Sequence, residues 1–261
     1  EPGKQGAAYI PRITGCKYSV ISNQQPMANK RKIINDPVFG FISIPNELIY
    51  DVLQHPYVQR LNRIRQLGLS YVVYSGAQHS RFLHSIGAMH LMSDAIASLR
   101  QKGVDITADE ANGARIAILL HDLGHAPFSH VMEHTLIEGI THEDVSLIMM
   151  EQINREMNGA LDTAIAIFKN QYPKHFLHQL ISSQFDMDRM DYLCRDSFFT
   201  GLTEGSVASA RLIKMLNVVD DHLVIEAKGI YSVEKFLIAR RLMYWQGFPH
   251  KTSGAAEQLL L

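Results

Sequence analysis

The chain has 261 residues, 46% hydrophobic and 20% charged, a size for one large domain or two small ones. With 25 basic residues against 26 acidic ones its formal net charge is -1, which supplies no field for nucleic acid or anionic membrane. Two cysteines, Cys16 and Cys194, exclude a disulfide framework and a multi-cysteine zinc site. No apolar run approaches the ~18 residues of a membrane span and no signal peptide is recognisable, so a cytoplasmic location is expected. The one compositional outlier is the 13 histidines, which point to metal or proton chemistry.

In chain order, residues 1–26 carry Gly3, Gly6, Pro11, Gly15 and Pro26 without any sustained period. They read as an N-terminal arm or a non-native extension, with the second favoured. The domain is expected over 27–261, truncated at its C-terminus, because Gln258-Leu259-Leu260-Leu261 stops within an apolar helical face. Residues 33–44 suit a short hairpin around Pro37-Val38-Phe39-Gly40. A helix starting at 45–47 buries Leu48, Ile49, Val52 and Leu53 and ends near Pro56. A second is expected over 57–67, with Leu61, Ile64 and Leu67 apolar, Arg60, Arg63 and Arg65 on a solvated face, and Gly68 as its stop. Tyr71 to Tyr74 is β-prone but short.

Apolar spacing is helical over 84–99 and strongly so over 109–123, where Thr107 and Asp109 are cap candidates. That helix must finish near Gly124, since Pro127 disfavours helical geometry at Ala126. Helical patterns recur at 129–138, 142–157, 160–169, 174–182, 188–195, 206–216 and 232–246, while 222–231 reads as a second hairpin. The expected fold is mainly α, a single helical bundle with one or two short β-hairpins.

The chemistry concentrates in His121-Asp122-Leu123-Gly124-His125-Ala126-Pro127-Phe128-Ser129-His130. Leu119 and Leu120 lead into it, so Asp122 stands at the buried C-terminal end of an apolar helix. There a carboxylate loses hydration and faces the negative end of the helix dipole. A cation is the economical compensation, and imidazole with carboxylate suits a first-row divalent ion. Neighbouring helical side chains diverge by about 100°, so other segments must complete such a site. His84 at a helix start and the acids Asp186, Asp188 and Asp191 are available. A zinc-peptidase helix is disfavoured, because Gly124 and Pro127 break the helix and Asp stands where that motif has Glu.

Together with Gln59-Arg60-Leu61, Gln66-Leu67-Gly68, Gly76 to Gly87, Asp186 to Asp196 and Tyr244…His250-Lys251, this string resembles the HD-domain metal-dependent phosphohydrolases. Within them it is most similar to the deoxynucleoside triphosphate triphosphohydrolase, or dGTPase-like, group. The resemblance implies an HD-domain helical bundle holding one divalent ion (Mn, Fe, Zn, Mg, Co or Ni) on His84, His121, Asp122 and Asp188. It assigns His125 and His142 to the catalytic step, with Glu133 where the family usually has Asp. It sets His130, Arg81, Arg189, Tyr192, Asp196 and Lys251 around the nucleotide, and Gln66 and Leu67 at the sugar.

The implied reaction is water attack on the α-phosphorus of a deoxynucleoside triphosphate, releasing deoxynucleoside and triphosphate. The implied partners are a nucleotide substrate, a nucleotide effector and further copies of the chain, with no nucleic acid or membrane. Two alternatives stay open: another nucleotide phosphoester as substrate, or a nucleotide-sensing module with weak catalysis. His55, His90, His175, His178 and His222 read as ordinary residues, and Met149, Met150, Met187 and Met190 as core filler. Cys194, on an apolar helix side, reads as inert.

Overall fold

The computed structural model describes residues 32–128, 139–246 and 250–259. The expected arm at 1–26, the helix expected over 129–138, and with it His130 and Glu133, lie outside the described residues. Strands β1 (Ile33–Asp36) and β2 (Gly40–Ser43) pair antiparallel, with Ile33 opposite Ser43 and Asp36 opposite Gly40. Their turn is held by Asp36, whose Oδ1 accepts from the backbone N–H groups of Val38 and Phe39. Helices α1 (Glu47–Gln54) and α2 (Pro56–Gln59) follow, then α3 (Arg81–Gln101), α4 (Ala108–Leu120) and α5 (His142–Glu156). Next come α6 (Asp162–Phe168), α7 (His175–Gln179), α8 (Met187–Thr200) and α9 (Ser209–Met215). The hairpin β3 (Leu216–Val219) and β4 (His222–Ile225) leads to α10 (Ile230–Gln246) and α11 (Lys251–Gln258). Among the described residues no helix is long and apolar enough to cross a membrane.

The middle of the bundle is α3, which packs against α4 and α8. Of its 21 residues 13 are buried, so it is enclosed on most sides rather than along one stripe. Ile86, Met89, Met92, Ile96 and Leu99 on α3 and Ile116 to Leu120 on α4 are inaccessible or nearly so. Fully burying each large aliphatic side chain is worth about 1.5–3 kcal/mol, enough to hold a polar cluster at one end of such a core. Helix starts are written by caps: Ser80 for α3, a Thr107–Glu110 capping box for α4, a Thr141–Asp144 box for α5, and Asp186 for α8. The N-terminal turns of α3 and α8 and the C-terminus of α4 thereby converge, bringing His84, Asp188, His121 and Asp122 together.

Four local expectations change. The helix expected over 57–67 is cut to α2 and a 3-10 turn at Arg60–Arg63, and Ile64 is extended. The reason is tertiary: Gln66 N donates to His79 O and Arg81 N donates to Ile64 O, so this backbone bonds the entry to α3 instead of its own helix. The β-prone stretch Tyr71 to Tyr74 forms no strand; its start lies in a 3-10 turn at Ser70–Val72. The second hairpin is shifted upstream, pairing 216–219 with 222–225, and 227–231 is helical. Its two-residue turn, Asp220-Asp221, takes φ of 49° and 61°, the geometry of a type I′ turn made without glycine. Arg60 is also not on a solvated face: it is half-buried and donates to Leu123 O at 2.6 Å and His125 O at 3.1 Å.

At Gly87 side chains of α8 pack directly onto the backbone of α3. A Cβ there would land on Asp191 Oδ1 and Arg195 Nη2. Gly87→Ala should therefore lower unfolding stability by about 3 kcal/mol, the upper range for overpacking. Gly254→Ala on α11, where a Cβ meets open space, should leave it unchanged or slightly raised. Urea midpoints of both variants check this, and a Gly87→Ala protein as stable as the parent contradicts the packing described.

Candidate metal centre

His84 occupies the first turn of α3 and is fully buried. Its Nδ1 lies 2.7 Å from Asp191 Oδ2. A carboxylate only accepts, so Nδ1 carries a proton and Nε2 is the ring nitrogen turned toward the cluster. His121, the C-cap of α4, is fixed the same way, with Nδ1 2.6 Å from the Ile118 carbonyl. The two Nε2 atoms face each other at 3.4 Å. Asp188 Oδ1 is 3.2 Å from His84 Nε2 and 3.5 Å from His121 Nε2. Asp122 places one oxygen 3.7 Å from His84 Nε2 and the other 3.3 Å from His121 Nε2. Ligands about 2.1 Å from one ion sit about 3.0–3.5 Å apart, so these spacings suit a shared cation. His84, His121 and Asp122 satisfy the mutual distances of a metal-holding group, all within 4.8 Å.

The charges agree with that fit. Asp122 Oδ2 accepts from Arg81 at 2.6 Å. Asp191 is bound by both Arg195 Nε and Nη2 at 2.9 Å, and Arg195 Nη1 reaches Asp36 at 2.7 Å. Four carboxylates (Asp36, Asp122, Asp188, Asp191) thus meet two guanidiniums, and a divalent cation would balance the remainder. Burial pulls His84 down, but hydrogen bonds to Asp188 and Asp191 and the charges of Asp191 and Asp122 push it up to about 10. His121 is raised against its burial by Asp122 and Asp188. Despite burial, Asp122 is held well below the carboxylate range by His121 and Arg81, and Asp188 likewise by His121 and His84. The site draws positive charge.

The turn after α4 is braced from two directions. Ser146 of α5 donates to His121 O at 2.8 Å and accepts from Gly124 N at 2.7 Å. This approach needs glycine at 124, because a Cβ would strike His142 O. Arg60 holds the other side through Leu123 O and His125 O. The result stacks His125 on His142 with ring centroids 4.0 Å apart and an interplanar angle of 14°. Burial pushes the His125 imidazole down to about 4, so it is neutral near pH 7, and its Nε2 lies 3.3 Å from Asp122 Oδ1.

Beside these groups opens a cavity of about 850 Å³, lined among others by Gln66, Leu67, Arg81, Asp122, His125, His142, Asp188, Tyr192 and Asp196. Sequence-predicted residues are thus brought together, with two placed elsewhere. Arg189 turns back to Ser183 O at 2.7 Å, and Lys251 is exposed at the start of α11; neither lines the cavity. Asp196 is buried, with one oxygen 2.7 Å from His79 Nε2. Asp186 caps α8 and does not face the imidazoles; burial and the neighbouring Asp188 push it up to about 7. Sequence reasoning missed Asp36, His79 and Arg195, and the cavity-lining Arg240 and Arg241. Only Arg195 left a signal, its i,i+4 spacing from Asp191 on one helix. Cys194 is half-buried, and burial pushes its thiol up.

A mostly helical bundle with paired imidazoles and carboxylates at converging helix ends defines the HD fold, and the family comparisons agree. Residues 81–196 match the HD domain and residues 207–261 the HD associated region. The chain belongs to the HD-domain phosphohydrolase family. It is 64% identical to a phosphohydrolase from Bacteroides thetaiotaomicron of solved structure, with TM-score 0.87 over 88% of this chain and 57% of that one. It is 34% identical to the uncharacterized protein YwfO of Bacillus subtilis, over 89% of this chain and 55% of that protein. A Dictyostelium discoideum protein named deoxynucleoside triphosphate triphosphohydrolase SAMHD1 homolog is 31% identical, over 88% of this chain and 48% of that protein. The chain spans about half the length of the curated relatives it matches.

Asp191→Asn keeps a partner for His84 but removes the charge behind it. It should weaken Mn²⁺ binding about 10–100-fold, as changes to groups orienting a metal-ligating histidine do. Calorimetric titration of folded protein checks this, and unchanged affinity would contradict the role given to Asp191.

Proposed function

We propose that this chain hydrolyses deoxynucleoside triphosphates to deoxynucleoside and inorganic triphosphate, with a divalent ion held by His84, His121, Asp122 and Asp188. The observation that carries the reading is the convergence of these four side chains beside a cavity whose wall also holds Arg65, Arg81, Arg240 and Arg241. An ion held there would neutralise phosphate charge and lower the pKa of a water enough for attack near neutral pH. The remaining steps belong to the protein. Arginine guanidiniums bind phosphate oxygens in bidentate fashion and stabilise charge as it grows in the transition state.

His125 is neutral near pH 7 and stacked on His142, so the pair is assigned to accepting the proton that the attacking water loses and returning it to the departing nucleoside oxygen. The Gln66 Oε1 is buried and finds no hydrogen-bond partner among the described residues, so it is suited to accept from a sugar hydroxyl. The apolar Leu67 beside it would leave a 2′-hydroxyl unpaired, which favours the deoxy sugar. Tyr192 and Asp196 complete the nucleotide wall. The family resemblance also implies a substrate-side role for His130 and a part in the catalytic step for Glu133. The name of the Dictyostelium relative supports the substrate class.

Purified protein incubated with deoxynucleoside triphosphates and Mn²⁺ or Mg²⁺ should release inorganic triphosphate. Release of pyrophosphate or orthophosphate instead would reject the cleavage position. Asp122→Ala should lose bound metal and reduce turnover by at least ~10³-fold, since metal charge stabilisation is worth several kcal/mol. Wild-type protein that binds nucleotide and metal without turnover would identify a sensor.

A further inference from the structure

Three histidines that the family resemblance leaves without a role meet away from the cavity. His175 and His178 stand three residues apart on α7, and His222 opens β4. The rings of His175 and His178 are stacked with centroids 6.3 Å apart, and His175 meets His222 edge to face at 5.8 Å. None of the three lines the cavity beside the buried centre.

The local sequence explains how they come together. Phe176 and Leu177 are buried, which anchors α7 on the core and leaves positions 175 and 178 on its outer side. Lys174, the N-cap of α7, holds the start of the helix by donating to Glu110 Oε2 at 2.9 Å and to the Asp105 carbonyl at 2.8 Å. The second hairpin is bound to both ends of the same helix. Asp221 Oδ2 accepts from His175 N at 2.8 Å, and Gln179 Oε1 accepts from Leu223 N at 2.7 Å. His175 and His178 are half-buried there, and His222 is exposed.

Ring orientation separates these three from scattered surface histidines. His175 Nδ1 lies 2.6 Å from Asn170 Oδ1, His178 Nδ1 3.0 Å from Ile167 O, and His222 Nδ1 2.7 Å from Asp220 O. A carbonyl or amide oxygen only accepts, so each Nδ1 carries a proton and each Nε2 is left for another partner. Among the described residues no hydrogen-bond partner takes any of these Nε2 atoms. An outer hydrogen bond of this kind orients metal-ligating histidines, as it does His84 and His121 at the buried centre. Imidazoles sharing one tetrahedral ion through Nε2 have ring centroids about 5 Å apart. The group is more open than the buried one, by about 1 Å at each ring pair, a difference that side-chain torsions of accessible rings supply.

Three imidazoles suit a borderline transition ion rather than Mg²⁺ or Ca²⁺, and Asp220 and Asp221 in the adjoining turn add negative charge. We propose that His175, His178 and His222 form a second metal site, taking Zn²⁺ or a similar divalent transition ion with water in the fourth position. The ion would pin α7, which leads into α8 and Asp188, to the hairpin that leads into α10. Its work is to clamp these two segments, and it takes no part in the reaction at the buried centre.

After dialysis against buffered Zn²⁺, the untagged chain should hold one equivalent of zinc more than His222→Ala. His175→Ala and His178→Ala should lose the same equivalent, with affinity falling at least as far as the ~10–100-fold lost with an orienting partner. Asp122→Ala, which disables the buried centre, should keep it, so the two sites are read separately. Circular dichroism confirms that each variant is folded, and His222→Ala, at an exposed position, leaves no buried gap. His90→Ala, outside the group, should leave the zinc content unchanged. Equal zinc content in the parent chain and His222→Ala overturns the proposal. An additional equivalent that survives loss of His175 or His178, or that disappears with Asp122 or His90, overturns it equally.

Discussion

Everything at the metal centre hangs on one buried chain of charges: Asp36 to Arg195, Arg195 to Asp191, Asp191 to His84. Each member is inaccessible or nearly so, which makes every link obligatory. A buried pair with one partner removed costs about 3–5 kcal/mol, because the other charge is left without solvent or partner. This relay fixes the tautomer of His84, aims its Nε2 at the cluster, and connects the first hairpin to the central helix. It also explains the closeness of α3 and α8, since only glycine at 87 leaves room for Asp191 and Arg195 between them. The N-terminal hairpin, remote from the site in sequence, is therefore part of its support.

Around that relay the molecule separates two electrostatic tasks. The carboxylates gather where a cation belongs, with imidazoles drawn toward protonation by the surplus of negative charge. The guanidiniums of Arg65, Arg240 and Arg241 stand along the cavity wall, where an anion would enter. Arg81 joins both regions, lining the cavity while bonding Asp122. His125 lies between them, and burial keeps its ring uncharged near pH 7. Opposite charge fields a few ångströms apart suit a reaction in which a polyanion must approach a cluster rich in carboxylates.

Much of this was legible in the sequence where the signal was local. The apolar spacing of Ile86, Met89 and Ile96, and the Ala- and Leu-rich run into His121, describe α3 and α4 because a helix is written by neighbours three and four residues apart. The string from His121 to His130 carried the family resemblance; of the residues it selected, His84, His121, Asp122 and Asp188 lie close together, while Arg189 and Lys251 do not line the cavity. What was hidden depends on distant partners. Arg60 showed its charge but not the carbonyls of Leu123 and His125, and Asp36 gave no hint of Arg195, 159 residues away. The second hairpin slipped because Asp220-Asp221 performs a turn usually marked by Asn-Gly. The helix at 57–67 failed because its backbone hydrogen bonds are taken by residues 79–81.

The candidate ligands come from three helix ends: α3, the turn after α4, and α8. A cation that binds this arrangement and not the unfolded chain adds RT ln(1 + [M]/Kd) to stability, about 4 kcal/mol at a thousandfold excess over Kd. That increment is a large share of the 5–15 kcal/mol by which domains resist unfolding. The melting temperature then tracks free metal, and the folded fraction becomes a gauge of supply. Without such an ion the bundle would lose resistance to heat and proteases, so metal scarcity would lower the amount of folded protein.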